Sequence, residues 1–101
     1  MAYAQALQAL GDPTRRSVLE ELRDGPRAVG EIAARLPVSR PAVSQHLRVL
    51  RDARLVTARV DAQRRIYELD PTGLAEIDEW LDSIGPRWQK RLEALERARD
   101  A

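Results

Sequence analysis

The sequence predicts a mainly α-helical fold with one small β-hairpin, and three observations carry that prediction. Apolar residues recur three and four positions apart through most of the 101 residues, the spacing that lines up one side of a helix. Residues that start helices stand ahead of these runs, at Asp12-Pro13, Ser39 and Asp70-Pro71. Only between Leu55 and Leu69 does the pattern shift towards the alternation of strands. A chain of this size allows a single domain, residues 1–101, with a core that is marginal unless the chain oligomerises.

Residues 2–10 form a first helix with Tyr3, Ala6, Leu7 and Leu10 on one side, ended by Gly11 in a position suited to positive φ. Asp12 caps a second helix, and Pro13 takes its first position, where the missing amide costs nothing. Val18, Leu19 and Leu22 point inward until Asp24-Gly25-Pro26 breaks that helix. Arg15 and Arg16, near its start, either touch phosphate or are solvated surface. A third helix turns Val29, Ile32, Ala33 and Leu36 inward and stops at Pro37. After a four-residue turn, Ser39 offers its hydroxyl oxygen to the free amides of a fourth helix. There Val43, Leu47 and Leu50 make one inward stripe, while Ser44, Gln45, Arg48 and Arg51 face outward with groups that reach phosphates and base edges. Residues 29–53 therefore read as a helix-turn-helix, with 39–53 as the recognition helix.

Residues 55–60 and 64–69 read as two strands. Val56, Ala58 and Val60 alternate with other positions, Ile66 and Leu69 do so less regularly, and Tyr67 falls on the other face. Asp61-Ala62-Gln63 lacks the glycine of a tight hairpin, which predicts a looser loop of about 3–5 residues. Arg64 and Arg65 either sit near the minor groove and its phosphates or simply keep an exposed hairpin soluble.

In the last element Leu74, Ile77, Leu81, Ile84, Trp88 and Leu95 form a heptad stripe, with Trp80 and Leu92 beside it. Gly85-Pro86 would ordinarily break a helix, yet the stripe keeps its phase across the dipeptide. One long kinked helix is expected, with two helices meeting at a corner as the alternative. That is a large apolar surface for a small domain to leave wet. Leu7, Leu10, Leu74, Ile77, Leu81, Ile84 and Trp88 are the expected dimer interface, and residues 1–10 and 72–98 the dimerisation helices. Packing back onto the chain's own core is the competing possibility.

The net charge of +1 conceals a segregation. From Arg35 to Arg65 eight arginines stand against Asp52 and Asp61, a net of +6, while the remainder carries nine cations and fourteen anions, a net of −5. A basic block that coincides with a helix-turn-helix points to a polyanion, double-stranded DNA. A solvated arginine-rich face is the bland reading of the same block.

Two segments resemble a known family. Ser39-Arg40-Pro41-Ala42-Val43-Ser44-Gln45-His46-Leu47, followed by Leu50 and Leu55-Val56, is similar to the recognition helix of ArsR-type winged-helix repressors. Gly11-Asp12-Pro13-Thr14-Arg15-Arg16, with Leu19 and Leu22, is similar to that family's first core helix. The likeness spans roughly residues 5 to 69. It implies a winged helix-turn-helix with residues 55–69 as the wing, in a small homodimeric transcriptional regulator, usually a repressor. Many such proteins sense metal through a thiolate pair at the start of the third helix, whose positions here are Ala28 and Gly30. Another family site draws on carboxylates and histidines of the last helix, which here offers Glu76, Asp78, Glu79 and Asp82 but no histidine.

With no cysteine and one histidine, the sequence excludes disulfides, cysteine nucleophiles and thiolate metal sites, and no metal or other cofactor is expected. His46 lies on the flank of the recognition helix, where packing or phosphate contact suits it better than catalysis, and no Gly-rich phosphate loop is present. The chain is therefore not expected to be an enzyme. No run of about 20 apolar residues and no signal-peptide core occur, so no membrane partner and a cytoplasmic location are expected. The expected function is sequence-specific DNA binding by a homodimer that represses from an inverted-repeat operator. Ser39, Arg40, Ser44, Gln45, His46, Arg48 and Arg51 of the recognition helix and Arg64 and Arg65 of the 59–65 wing are the expected DNA contacts. A winged helix that binds a protein partner instead is the alternative. It is disfavoured because such versions tend to lose the cationic face that this chain keeps. The inducing signal is not readable from the sequence.

Overall fold

The computed structural model describes residues 2–100, less the side chains of residue 2 and residues 86–89, so Trp88 as an interface side chain lies outside the described residues. The elements run α1 (Ala2–Ala9), α2 (Pro13–Glu20), β1 (Arg27–Ala28), α3 (Val29–Ala34), α4 (Arg40–Asp52), β2 (Val56–Asp61), β3 (Arg64–Leu69) and α5 (Pro71–Asp100).

The helix starts follow from local capping chemistry. Asp12 accepts from the Thr14 and Arg15 amides at 2.8 and 3.2 Å, with Pro13 at the first helical position. Ser39 accepts from the Ala42 amide at 3.3 Å. Asp70 accepts from the Thr72 amide at 2.9 Å. Helix ends are set less locally. α1 stops at Ala9 and closes with a tight turn, Gly11 N–H donating to the Gln8 carbonyl at 3.1 Å. Gly11 does not take positive φ, contrary to the expectation, because that turn closes without a left-handed residue. α2 gives way to tightened turns after Glu20, ahead of Asp24-Gly25-Pro26, but Leu22 is still buried. α3 ends at Ala34, so Leu36 packs from the connection, and that connection spans 35–39, one residue longer than expected. α5 runs through Gly85-Pro86 as one helix to Asp100.

The three strands form an antiparallel sheet in the order β1-β3-β2. β1 is not among the strands expected from the sequence. Two residues are too few to display a period, and the strand exists only because Arg27 and Ala28 pair with Tyr67 and Ile66. The β2–β3 turn is tighter than expected. Asp61 pairs with Arg64 across the two residues Ala62 and Gln63, with Ala62 at φ 56°. Pairing along the whole hairpin outweighs the left-handed alanine, which costs about 1–2 kcal/mol. Of the strand positions read as alternating inward, only Val56 and Ile66 are buried; Ala58 and Val60 are exposed, Val60 at 72%. Leu69 is exposed and Tyr67 is buried, both against expectation. Beyond Val56 the ribbon leaves the body of the domain, so its inner face has nothing to pack against. Near its base β1 and the helices cover the sheet, so the neighbours Ile66 and Tyr67 are both enclosed.

The core gathers Ala6, Ala9, Val18, Leu22, Val29, Ile32, Val43, Leu47, Leu50, Ala53, Leu55, Val56 and Tyr67. It therefore draws on α1 to α4 and the base of the hairpin. Gly73 locks the start of α5 to the end of α4. Its amide donates to the Arg54 carbonyl at 2.7 Å, and a Cβ there would stand 2.6 Å from that oxygen and 2.7 Å from the Ala53 oxygen. Only glycine allows that approach. Tyr3 stacks on Trp80 at 5.7 Å between ring centroids, fixing α1 along the first half of α5.

Candidate nucleic-acid interface

α4 is anchored by a fully enclosed stripe, with Val43, Leu47 and Leu50 each at 0% exposure. At about 100° per residue, Gln45 and Asp52 both stand nearly opposite that stripe, with Arg48 next to Asp52. Arg40, Ser44 and Arg51 fall on the flank towards the hairpin and Val49 on the other. Ser44, Gln45, Arg48 and Arg51 are exposed, as is Arg40 at the first helical position. Ser39 is exposed but is already engaged as the cap, its hydroxyl oxygen turned to the Ala42 amide. His46 is half-buried.

Arg64 and Arg65 open β3 and are both exposed. They come alongside the N-terminal end of α4: Arg40, Gln63, Arg64 and Arg65 border one cleft of about 450 Å³ with Ala28, Val29, Gly30 and Glu31. The hairpin and the recognition helix thus present one continuous cationic surface, with spacing that their chain positions alone do not give. Arg64 is not loose on it. Its guanidinium donates to the Glu31 carboxylate, which also accepts from the Ala28 amide at 3.0 Å. That amide bond, followed by the charges of Arg64 and Arg27, holds the Glu31 carboxyl below the usual carboxylate range. Glu31 is not among the site residues expected from the sequence. Its place three residues after Ala28 is the sole local sign, that of a helix-start carboxylate; its partner lies 33 residues away. On the hairpin itself Arg59 pairs with Glu68 at 3.2 Å.

Arg15 and Arg16, left open between phosphate contact and solvent, do a third thing. Each donates at 2.7 Å to the frayed end of α1, Arg15 to the Ala9 carbonyl and Arg16 to the Leu10 carbonyl. They satisfy orphan carbonyls there. Among the described residues no three His, Cys, Asp or Glu side chains come together as a metal-holding group, and no helix is long and apolar enough to cross a membrane.

The expected dimer residues lie away from this surface, on α1 and α5. Leu7, Leu10, Ile77 and Ile84 are half-buried, while Leu74 and Leu81 are exposed at 38% and 47%.

The sequence profile described as "Bacterial regulatory protein, arsR family" matches residues 12–58, which hold α2 through the first part of β2. The HTH-type transcriptional regulator Rv2034 of Mycobacterium tuberculosis is 59% identical over 83 residues, which are 82% of this chain and 78% of that protein. This chain belongs to the ArsR family. Another relative, the transcriptional repressor SdpR of Bacillus subtilis, is 34% identical over 73% of this chain and 82% of its own. Among solved structures, a possible transcriptional regulator for arsenical resistance superposes with a TM-score of 0.75 at 44% identity, covering 89% of this chain and 94% of that one. The homodimeric winged helix-turn-helix DNA-binding domain Mb0332 of Mycobacterium bovis matches in fold alone, with a TM-score of 0.69 at 24% identity over 89% and 83% of the two chains. The fold is thus a winged helix-turn-helix with β2 and β3 as the wing. As an ArsR-family protein the chain is a DNA-binding transcriptional regulator, not an enzyme.

Proposed function

We propose that this regulator is a homodimeric repressor that occupies an inverted-repeat operator, α4 of each protomer lying in a major groove and the wing beside it. One observation carries the assignment of α4: an exposed face of Arg40, Ser44, Gln45, Arg48 and Arg51 on a helix whose other side is completely enclosed. A helix held that rigidly presents its side chains in fixed register to base edges. Gln45, on the side away from the core, pairs with adenine, and Arg40 or Arg48 with guanine. Ser39, Ser44 and His46 belong to phosphates near the helix's start and flank, and Arg51, Arg64 and Arg65 to the backbone beside the groove. Homodimerisation is supported by the exposed apolar residues of α5 and by the homodimeric state named for Mb0332. Repression is supported by SdpR, whose name states it. No cofactor or metal switch enters this mechanism, and a DNA partner is consistent with a cytoplasmic location.

A salt titration of two variants on operator and scrambled duplexes tests the division of labour. Gln45→Ala should cost about 1–3 kcal/mol on the operator and relax one base-pair preference. Arg65→Ala should weaken both duplexes alike and lower the salt slope by about one unit per protomer contact. Equal losses on operator and scrambled DNA for Gln45→Ala would sink the assignment of base reading to this face.

A further inference from the structure

We infer that the cleft between the wing and the start of α4 is a binding site for a small phosphorylated molecule, and that its occupation opposes DNA binding. The cleft measures about 450 Å³, and three arginines, Arg40, Arg64 and Arg65, line it against one acidic residue, Glu31. Among the described residues neither Arg40 nor Arg65 has a carboxylate within ion-pair distance, so two cations enter the cleft uncompensated. Glu31 holds the third, Arg64, in place from the side. Arginines brought to one cleft by two elements suit a tetrahedral oxyanion, which can accept paired N–H donors from more than one guanidinium. The space exceeds a bare phosphate, and Ala28 and Val29 supply an apolar wall for the organic part of a ligand. Gly30 leaves the floor open. A Cβ there would lie 3.8 Å from the Arg40 guanidinium, in ordinary van der Waals contact.

The second half of the inference rests on the DNA reading above. The same three arginines are assigned to DNA, so ligand and duplex compete for them, and by linkage the ligand lowers DNA affinity by the factor that DNA lowers ligand affinity.

The test uses the full chain with inorganic phosphate and pyrophosphate as probes, each titrated against sodium chloride at matched ionic strength. In amide NMR without DNA, phosphate and pyrophosphate should give saturable shifts at Gly30, Gln63 and Arg64. Arg65→Gln should weaken binding about tenfold, the loss of one charge-assisted contact, whereas Arg97→Gln, at the far end of α5, should not alter it. In a second arm, both probes should lower the affinity for a DNA duplex beyond the chloride control. Shifts that do not saturate, or that Arg65→Gln leaves unchanged, overturn the site. Shifts at these amides from duplex DNA alone, with neither probe acting, assign the cleft to backbone phosphate and overturn the small ligand. Saturable binding with unchanged DNA affinity overturns the competition. The first arm contains no DNA, so failure of the site and failure of the DNA reading are told apart.

Discussion

α4 and α5 are both amphipathic helices with apolar residues three and four positions apart, yet one is completed inside the chain and the other is not. α4 buries Val43, Leu47 and Leu50 entirely. α5, 30 residues long, leaves Leu81, Leu92 and Leu95 exposed at 47%, 55% and 63%. The reason lies in what surrounds them. α4 is enclosed by α1, α2, α3 and β2, whereas α5 is packed chiefly along α1. A helix of that length spans about 45 Å, and the molecule is 58 Å long but only 29 by 21 Å across, so much of α5 extends past the body that could cover it. The same periodicity therefore has two meanings: in α4 it encloses one side of the helix completely, and in α5 it leaves exposed the surface that we propose a second copy completes.

The largest effect that tests this contrast is expected from Leu81→Glu. A charge on the exposed stripe should give monomers in sedimentation at micromolar concentration and abolish operator binding, because a single reading head loses its twofold partner. A wild type that is itself monomeric at that concentration would break the comparison outright. Next comes Leu47→Ala, which removes a completely enclosed side chain and should cost about 2–5 kcal/mol of stability in chemical denaturation. The two variants should separate cleanly. Leu47→Ala should lower stability at every protein concentration, while the Leu81→Glu loss should vanish on dilution, where wild type is also dissociated. Gly73→Ala probes the joint between the two helices. Its Cβ would press on two α4-end carbonyls, so a loss of about 1–3 kcal/mol is expected, and a thermal melt identical to wild type would show that α5 can shift without cost.

The smallest effect concerns the caps. The amide of Arg15 above all, then that of Thr14 and the Arg15 charge, hold the Asp12 carboxyl below the usual carboxylate range. A group whose folded pKa is depressed stabilises the fold above its unfolded value and loses that contribution as pH falls through the folded one. Asp12→Asn should therefore lower the melting temperature at neutrality, and the gap to wild type should close as pH falls below about 4 and the wild-type carboxyl is protonated. An unchanged acid limb would show that the cap's charge contributes nothing.

Much of the fold was legible in the sequence. The starts of α2, α4 and α5 follow from Asp12, Ser39 and Asp70, because a cap needs only a side chain and the amides two or three residues on. The inward stripe of α4 and its exposed Gln45, Arg48 and Arg51 follow from helical period alone. Its continuation through Gly85-Pro86 was also expected of α5, since the phase of the stripe outlasts one missing amide. Where the sequence misled, a longer-range partner was responsible. Val60 and Ala58 alternate as if buried, but nothing faces them in the projecting wing; Ala62 closes a tight turn because the strands on both sides are already paired.

What the sequence determined by itself is what rests on neighbours a few positions away: helix starts, the recognition face, the block of arginines and the unspent apolar stripe. What only the tertiary structure decided rests on residues far apart. β1 exists through Tyr67 and Ile66, Arg15 and Arg16 serve the end of α1, Gly73 must admit two carbonyls, and Glu31 reaches Arg64 across 33 positions. Period and capping are short-range and leave a signature in the order of residues. Pairing between distant segments is set by the packing of the whole core, and leaves none.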